Sequence, residues 1–239
     1  MTSSKIKNMR IAGKILDAVF DELRRFVRPG IKKIDVEAKL IKTLDKYGIR
    51  SATKGLNEFP NYICISVNDE ILFGRPDEKI LNEGDLITLD LTINYKGFFV
   101  DKAVTFGLDP LRFDQKYIIN AGKKCLENAI SICKPNITTN LIGNTIYGTA
   151  SYLKVKVIKD YGGHGIGLKP HNHPFIPNYD NNDNDTKLHK GMTFTIEPIV
   201  VYETDLIRSQ NGVIYGDKIS SHFEETILII DNGAEVLTR

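Results

Sequence analysis

The sequence predicts an α+β fold built from two helix–helix–sheet halves. Three observations carry that reading. Helical periodicities come in pairs, and each pair is accompanied by strand-rich sequence. The segment RPGIKKIDV (28–36) resembles KPNITTNLI (134–142), and LNEGDLITLDL (81–91) resembles LHKGMTFTIEP (188–198) at nearly the same spacing. In the second pair Leu81, Gly84 and Thr88 recur identically as Leu188, Gly191 and Thr195, and Asp90 falls on Glu197. A duplication of this kind brings a carboxylate to the same place in a strand of each half.

Met9, Ala12, Leu16, Val19, Phe20, Leu23 and Phe26 recur at three- and four-residue spacing, which makes an amphipathic helix stopped near Arg28-Pro29-Gly30. A second helix runs through Val36, Leu40, Leu44 and Tyr47, with Gly48 as its C-cap. Residues 60–67 and 86–106 are strand-like, the latter with a turn signal at Lys96-Gly97. A helix follows Asp114 to about Cys133, and another runs from about Thr139 to Leu153. Residues 192–202 and 222–231 again read as strands, and the polar run Asn178–Thr186 between helix and strands reads as an exposed loop.

The chain has 239 residues, 41% hydrophobic and 26% charged, enough for one large core or two small ones. Its net charge of +2 points to neither a nucleic-acid nor a membrane partner, and the basic run Lys5–Arg10 reads as a solvated helix start. Cys64, Cys125 and Cys133 form no CxxC pair and fit free, buried thiols in a reducing compartment. The N-terminus carries no apolar signal-peptide core, and no stretch approaches the length of a membrane span. A cytoplasmic protein is the expectation.

The chemistry lies in carboxylates set in apolar strands. Pairing Asn94 with Gly97 across the turn places Asp90 opposite Asp101, and two facing carboxylates repel unless a cation lies between them. Glu197, in TFTIEP, is costly to bury without a partner. Glu224 and Glu225 precede the apolar TILII, and only one of these neighbours can face the interior that Glu197 faces. The segment 161–174 holds three of the five histidines. Its glycines do not have the spacing of a phosphate-cradling loop and lead into Lys-Pro-His rather than a helix, so they read as allowing close backbone approach, or positive φ, around His164. His171 and His173 share a strand face and form either a chelating pair or part of a polar loop, with His173 read as the bystander. Four carboxylates and an imidazole without thiolate are a hard, oxygen-rich set, suited to Mn, Fe, Co or Zn in a two-metal hydrolytic site. Such a pair of ions activates water and polarises a carbonyl.

The order Asp90, Asp101, His164, Glu197, Glu224, carried by LDLTINYKGFFVD, YGGHGIG, GMTFTIEP and HFEETILIIDNG, resembles the ligand set of the methionine aminopeptidases. The resemblance spans nearly the whole chain, and the short N-terminus is similar to the bacterial type I form. It implies the pita-bread fold, a pseudo-two-fold duplication around a curved antiparallel sheet, in one domain with halves of about 1–108 and 109–239. It also implies removal of N-terminal methionine from peptides or nascent proteins, at the ribosome or free of it, by a monomer holding two divalent ions. Asp90 would chelate one ion, Asp101 and Glu224 would bridge both, and His164 and Glu197 would complete the other. Glu197 would also act as base and proton shuttle, and His171 would hydrogen-bond the scissile carbonyl.

The chain departs from the family pattern at VNDEILFGRP (67–76), where Phe73 replaces the usual substrate-contacting histidine. Leu56 and Phe59 stand where tyrosines are common, and Pro170 where an aromatic is common, while Phe59 and Cys64 can still line an apolar pocket. Metal binding is expected to survive, with peptidase activity reduced or redirected. The alternatives are a pita-bread hydrolase of another small N-terminal or X-Pro substrate, and a non-catalytic binding module. The X-Pro relatives usually carry an additional N-terminal domain.

Overall fold

A computed structural model describes residues 3–181, 185–216 and 218–239. Helix α1 (Ser3–Phe26) buries Leu16, Val19, Phe20 and Leu23 along one stripe, and the chain turns at Gly30, whose φ of 90° suits glycine. Helix α2 (Lys33–Tyr47) starts where the Lys32 amide donates to Asp35 Oδ2 and ends on Gly48 in the left-handed conformation. Short strands β1 (Arg50–Ser51), β2 (Cys64–Val67) and β3 (Glu70–Leu72) follow, then the long hairpin β4 (Leu86–Tyr95) and β5 (Phe98–Gly107). Of the strand expected over 60–67, only the last four residues pair.

The hairpin corrects the expected register. Lys96 and Gly97 both have positive φ and form a two-residue turn, so Tyr95 pairs with Phe98 and Asn94 with Phe99. Asp90 therefore faces Ala103, and Asp101 faces Thr92. Primed turns of this kind match the twist of the strands they join. The slip is two residues, so both carboxylates stay on one face of the hairpin, diagonal rather than opposed.

The second half repeats the plan. Helices α3 (Phe113–Ser131) and α4 (Thr139–Tyr152) precede β6 (Lys156–Val157), β7 (Gly163–Gly165), β8 (Asn172–Ile176), β9 (Thr193–Ile196) and β10 (Ile199–Val201). Then come β11 (Arg208–Gln210), β12 (Val213–Tyr215), β13 (Ser220–His222), β14 (Glu225–Ile230) and β15 (Gly233–Val236). The strand expected over 192–202 is interrupted at Glu197-Pro198, where proline cannot donate to a ladder. The similarity seen in sequence reappears in backbone hydrogen bonds. Gly30 N donates to Leu81 O as Asn136 N does to Leu188 O, and Leu81 N to Ile31 O as Leu188 N does to Ile137 O. Gly84 and Gly191 both take positive φ.

Strands β1 and β2 pair with one edge of β4, and β5 with the other. A five-stranded sheet runs β15-β14-β9-β7-β8, flanked by the three-stranded sheets β13-β10-β6 and β11-β12-β3. The two halves meet along β5. Thr105 Oγ1 and the His222 backbone exchange hydrogen bonds, Ala103 and Glu224 form an antiparallel bridge, and Thr226 Oγ1 bonds both the amide and the carbonyl of Asp101. Behind this seam Lys102 is buried, with its ammonium on Asp17 of α1, the carbonyl of Thr238 and Glu225. Among the described residues no helix is long and apolar enough to cross a membrane.

The loop expected to be exposed begins otherwise. Asn178 is fully buried, and Asp185 Oδ1 accepts the Asn140 amide at the start of α4; residues 182–184 lie outside the described residues. Lys5, expected in solvent, packs onto Gly167.

Gly13 of α1 lies against the C-terminal residues, and a Cβ there would sit 1.7 Å from the Leu237 carbonyl oxygen. Gly13→Ala is expected to lower stability by about 1–3 kcal/mol, read as a drop of several degrees in a thermal melt; an unchanged melt would contradict this packing.

Candidate active site

Cys64, Asp90 and Ala103 lie abreast on β2, β4 and β5, and the bridge from Ala103 to Glu224 continues the row across the seam. Residues directly opposed in antiparallel strands share a face. Ala103, the smallest member, leaves the space above it to Asp90 on one side and Glu224 on the other. One row along, Thr92 Oγ1 donates to Asp101 Oδ2 at 2.6 Å. Glu225 points the other way, to Thr238, Arg239 and Lys102, so Glu224 is the one of the pair that faces the interior.

Glu197 follows β9, which pairs with β14 through Ile196 and Glu225. One step on in that register, Glu197 stands across from Glu224. Thr195 Oγ1 donates to Glu197 Oε1 at 3.1 Å, and the buried Asn178 amide holds the Glu197 and Tyr161 carbonyls. His164 lies on β7 between β8 and β9. A Cβ on Gly163 would fall 2.1 Å from Thr195 O, and one on Gly165 2.1 Å from His173 O, so close approach is what demands glycine at both. Positive φ does not enter at either; in this stretch it occurs at Gly167. His171 lies beside His164 with ring centroids 4.1 Å apart and the rings tilted by 55°, and it joins Asp101 and His164 in one ligand cluster, whereas the exposed His173 belongs to none among the described residues, so the two do not chelate as a pair.

Three overlapping groups have ligand atoms within 4.8 Å of one another: Asp90, Asp101 and Glu224; His164, Glu197 and Glu224; and Asp101, His164 and His171. The protein supplies little to neutralise them. Burial pushes Asp90 and Glu224 well above the usual carboxylate range, reinforced by Asp101 and Glu197. Burial likewise raises Asp101, against the Thr92 hydrogen bond that lowers it, and burial together with Asp101 lifts Glu197 to about 8. Burial and His171 lower His164 to about 4, so it is a neutral imidazole, the form that ligates metals. Glu224 Oε1 is buried without a hydrogen-bond partner. Hard oxygen donors, one neutral imidazole and an orphaned carboxylate oxygen fit divalent cations well.

The cluster floors a cavity of about 620 Å³. Leu56, Phe59, Cys64, Leu72 and Phe73 give it apolar walls, His171 borders it, and Pro170 lies outside it. Phe73 has φ of 59°, in the left-handed region, and its ring meets Tyr161 edge-on at 5.8 Å. Thr92 and Thr195 each stand two residues from a carboxylate, a same-face spacing visible in the strand sequence. Asn178 gave no such signal, because the irregular chain brings it back from a distance. The buried His222, 3.8 Å from Glu197, was also not singled out by pattern.

The profile of metallopeptidase family M24 matches residues 7–231. The chain belongs to metallopeptidase family M24. An M24 relative, the methionine aminopeptidase of Mycoplasma capricolum, is 34% identical over 98% of this chain and 96% of its own. The methionine aminopeptidase 1 of Bacillus subtilis is 30% identical over 100% of this chain and 98% of its own. The crystal structure of the Thermotoga maritima methionine aminopeptidase matches with a TM-score of 0.96 and 34% identity, covering 100% of this chain and 98% of that one. An Xaa-Pro dipeptidase from Bacillus anthracis shares the fold, with a TM-score of 0.80 and 24% identity over 61% of its chain. The M24 member described here thus has the pita-bread fold, with two helix–helix–sheet halves meeting at its carboxylates.

The raised carboxylates have a consequence for the metal-free protein. Glu197, lifted from 4.5 to about 8, holds in the folded state a proton that the unfolded chain has released, so stability falls as pH rises through that window. The imidazoles of His164 and His222, lowered from 6.5 to about 4 and about 3, act in the opposite sense below 6.5. Above it the carboxylates act alone among these groups. The melting temperature of chelator-treated protein is expected to fall between about pH 6.5 and about pH 8, and saturating Mn to flatten the slope. A rise over that interval would contradict the burial of charge described here.

Proposed function

We propose that the chain is an aminopeptidase that removes N-terminal, initiator methionine from peptides or nascent proteins. It would act as a single domain spanning 1–239, with halves of about 1–108 and 109–239, and as a cytoplasmic monomer that meets its substrates free or at the ribosome. The observation that carries the reading is the convergence of Asp90, Asp101, His164, Glu197 and Glu224 on the floor of an apolar-walled cavity. In this proposal those five side chains would hold two divalent ions, Co, Mn, Fe or Zn, with Asp101 and Glu224 each serving as a ligand common to two of the overlapping groups of residues. When bound, such ions supply Lewis acidity toward the scissile carbonyl and activate water.

The chain's own groups do the rest. Leu56, Phe59 and Cys64 offer the methionine side chain an apolar wall. Glu197 takes a proton from the attacking water at its carboxylate and returns it to the leaving amine. Thr195 orients that carboxylate from the Oε1 side. His171, at the cavity border, donates to the carbonyl oxygen as negative charge develops. Thr92 fixes Asp101 in one rotamer. Phe73 stands on the wall without a hydrogen bond to give, and lowers the rate on ordinary peptide bonds.

Phe73 also favours a second reading, hydrolysis of X-Pro substrates. A scissile bond to proline has no N–H, so it loses less against a wall without a polar group.

Chelator-stripped protein reloaded with Mn, Co, Fe or Zn is expected to take up two ions and to release methionine from Met-Ala-Ser. Two bound ions with no methionine released under any metal would sink the first reading, and release from Met-Pro-Ser alone would establish the second. Phe73→His is expected to raise kcat by roughly 10-fold or more on Met-Ala-Ser, because histidine both donates a hydrogen bond and tolerates the left-handed backbone better than phenylalanine. An unchanged rate would place the loss in the methionine pocket instead.

A further inference from the structure

His222 lies behind the cavity rather than on its wall. It is 1% exposed, and neither ring nitrogen has a hydrogen-bond partner. Its backbone is held on both sides: the His222 amide donates to Thr105 Oγ1 at 2.8 Å, and Thr105 Oγ1 donates back to its carbonyl at 3.0 Å. Thr105 Oγ1 is also 2.7 Å from Thr88 Oγ1, so β4, β5 and β13 together fix where this imidazole stands. Across β13, His222 pairs with Ile199, just past the break that carries Glu197. Its Nε2 is 3.8 Å from Glu197 Oε2.

Glu197 therefore lies between two rings. Its Oε1 takes the Thr195 hydrogen bond and lies 3.7 Å from His164 Nε2, while its Oε2 faces His222. A neutral imidazole has one N–H to give, and a buried donor left unpaired costs about 1–3 kcal/mol. Among the described residues no hydrogen-bond donor other than the His222 ring stands at Glu197 Oε2. We propose that His222 is a positioning residue for Glu197: with the 3.8 Å separation closed to hydrogen-bond distance when the carboxylate engages a metal, its Nε2–H donates to Oε2 and holds the carboxylate with Oε1 toward His164. The inference rests on the reading of Glu197 as metal ligand and proton carrier. Carboxylates that ligate metals are commonly oriented by such outer hydrogen bonds, whose loss costs about 10- to 100-fold in activity or metal affinity.

The test compares His222→Phe, similar in shape but without a donor, with His222→Gln, whose amide can donate to the same oxygen. For His222→Phe the expected result is a melting temperature equal to or above that of the wild type, an unchanged KM and a kcat lower by about 10- to 100-fold. His222→Gln should recover most of that kcat. A Phe variant with wild-type kcat, or Phe and Gln variants equally impaired, would overturn the proposal. His222→Leu carries the same comparison in case Phe does not fold. Stepwise Co(II) titration of the stripped proteins, followed by the visible spectrum, separates this inference from the hydrolytic one. Should the wild type release no methionine, altered Co(II) affinity or spectrum in the Phe variant, restored in the Gln variant, still supports the role of His222. Co(II) binding identical in all three proteins overturns it.

Discussion

Four carboxylates, two buried and two half-buried, within reach of one another are the constraint on which the rest of this structure depends. Asp90 and Asp101 come from the first half, Glu197 and Glu224 from the second, and the seam along β5 brings them together. Each would be more stable in solvent, and like charges packed together raise one another's proton affinity. A fold tolerates such a cluster only when its surroundings are rigid and a counter-charge is available. Rigidity comes from threonines: Thr92 on Asp101, Thr195 on Glu197, Thr105 and Thr226 across the seam. The counter-charge is what a metallopeptidase draws from divalent ions.

The seam works because alternation along a strand divides its two faces by chemistry. Asp101 lines the cavity and Ala103 shares its face of the strand, while Lys102 between them points back toward α1. On the partner segment Glu224 points in, and Glu225 points back to join Lys102 and the C-terminal residues. One face thus concentrates negative charge for a ligand, and the other neutralises its charge internally. A shift of the seam by one residue would exchange these roles and bury Lys102 in the cavity.

The wall of the cavity is where this chain differs from the pattern it resembles. Phe73 occupies a left-handed backbone position that phenylalanine enters at a cost, and it packs on Tyr161 instead of offering a polar group. Gly74 beside it lies so close to β2 that a Cβ would sit 2.3 Å from Ile65 O. The backbone of the segment is therefore fixed by contacts that do not involve the side chain of residue 73. His222 lies behind the floor of the site, against Glu197.

The sequence by itself singled out the carboxylates and the imidazole that gather at the cavity floor and, through alternation and the internal similarity, which faces they take. Helices α1 to α4 were legible because their apolar spacing and caps are local. The duplicated turns around Gly84 and Gly191 were legible because glycine is required there in both halves. Only the tertiary structure decided the hairpin register, since whether Lys96-Gly97 closes a two-residue turn depends on both φ angles, and a slip of two leaves the face pattern unchanged. The break at Pro198 was local and legible from the proline, whereas the tertiary structure also decided the return of Asn178 beneath Glu197 and the burial of His222 against it. These are contacts between segments distant in the chain. No period or motif encodes them, because they arise only when two sheets are packed and their side chains must share one interior.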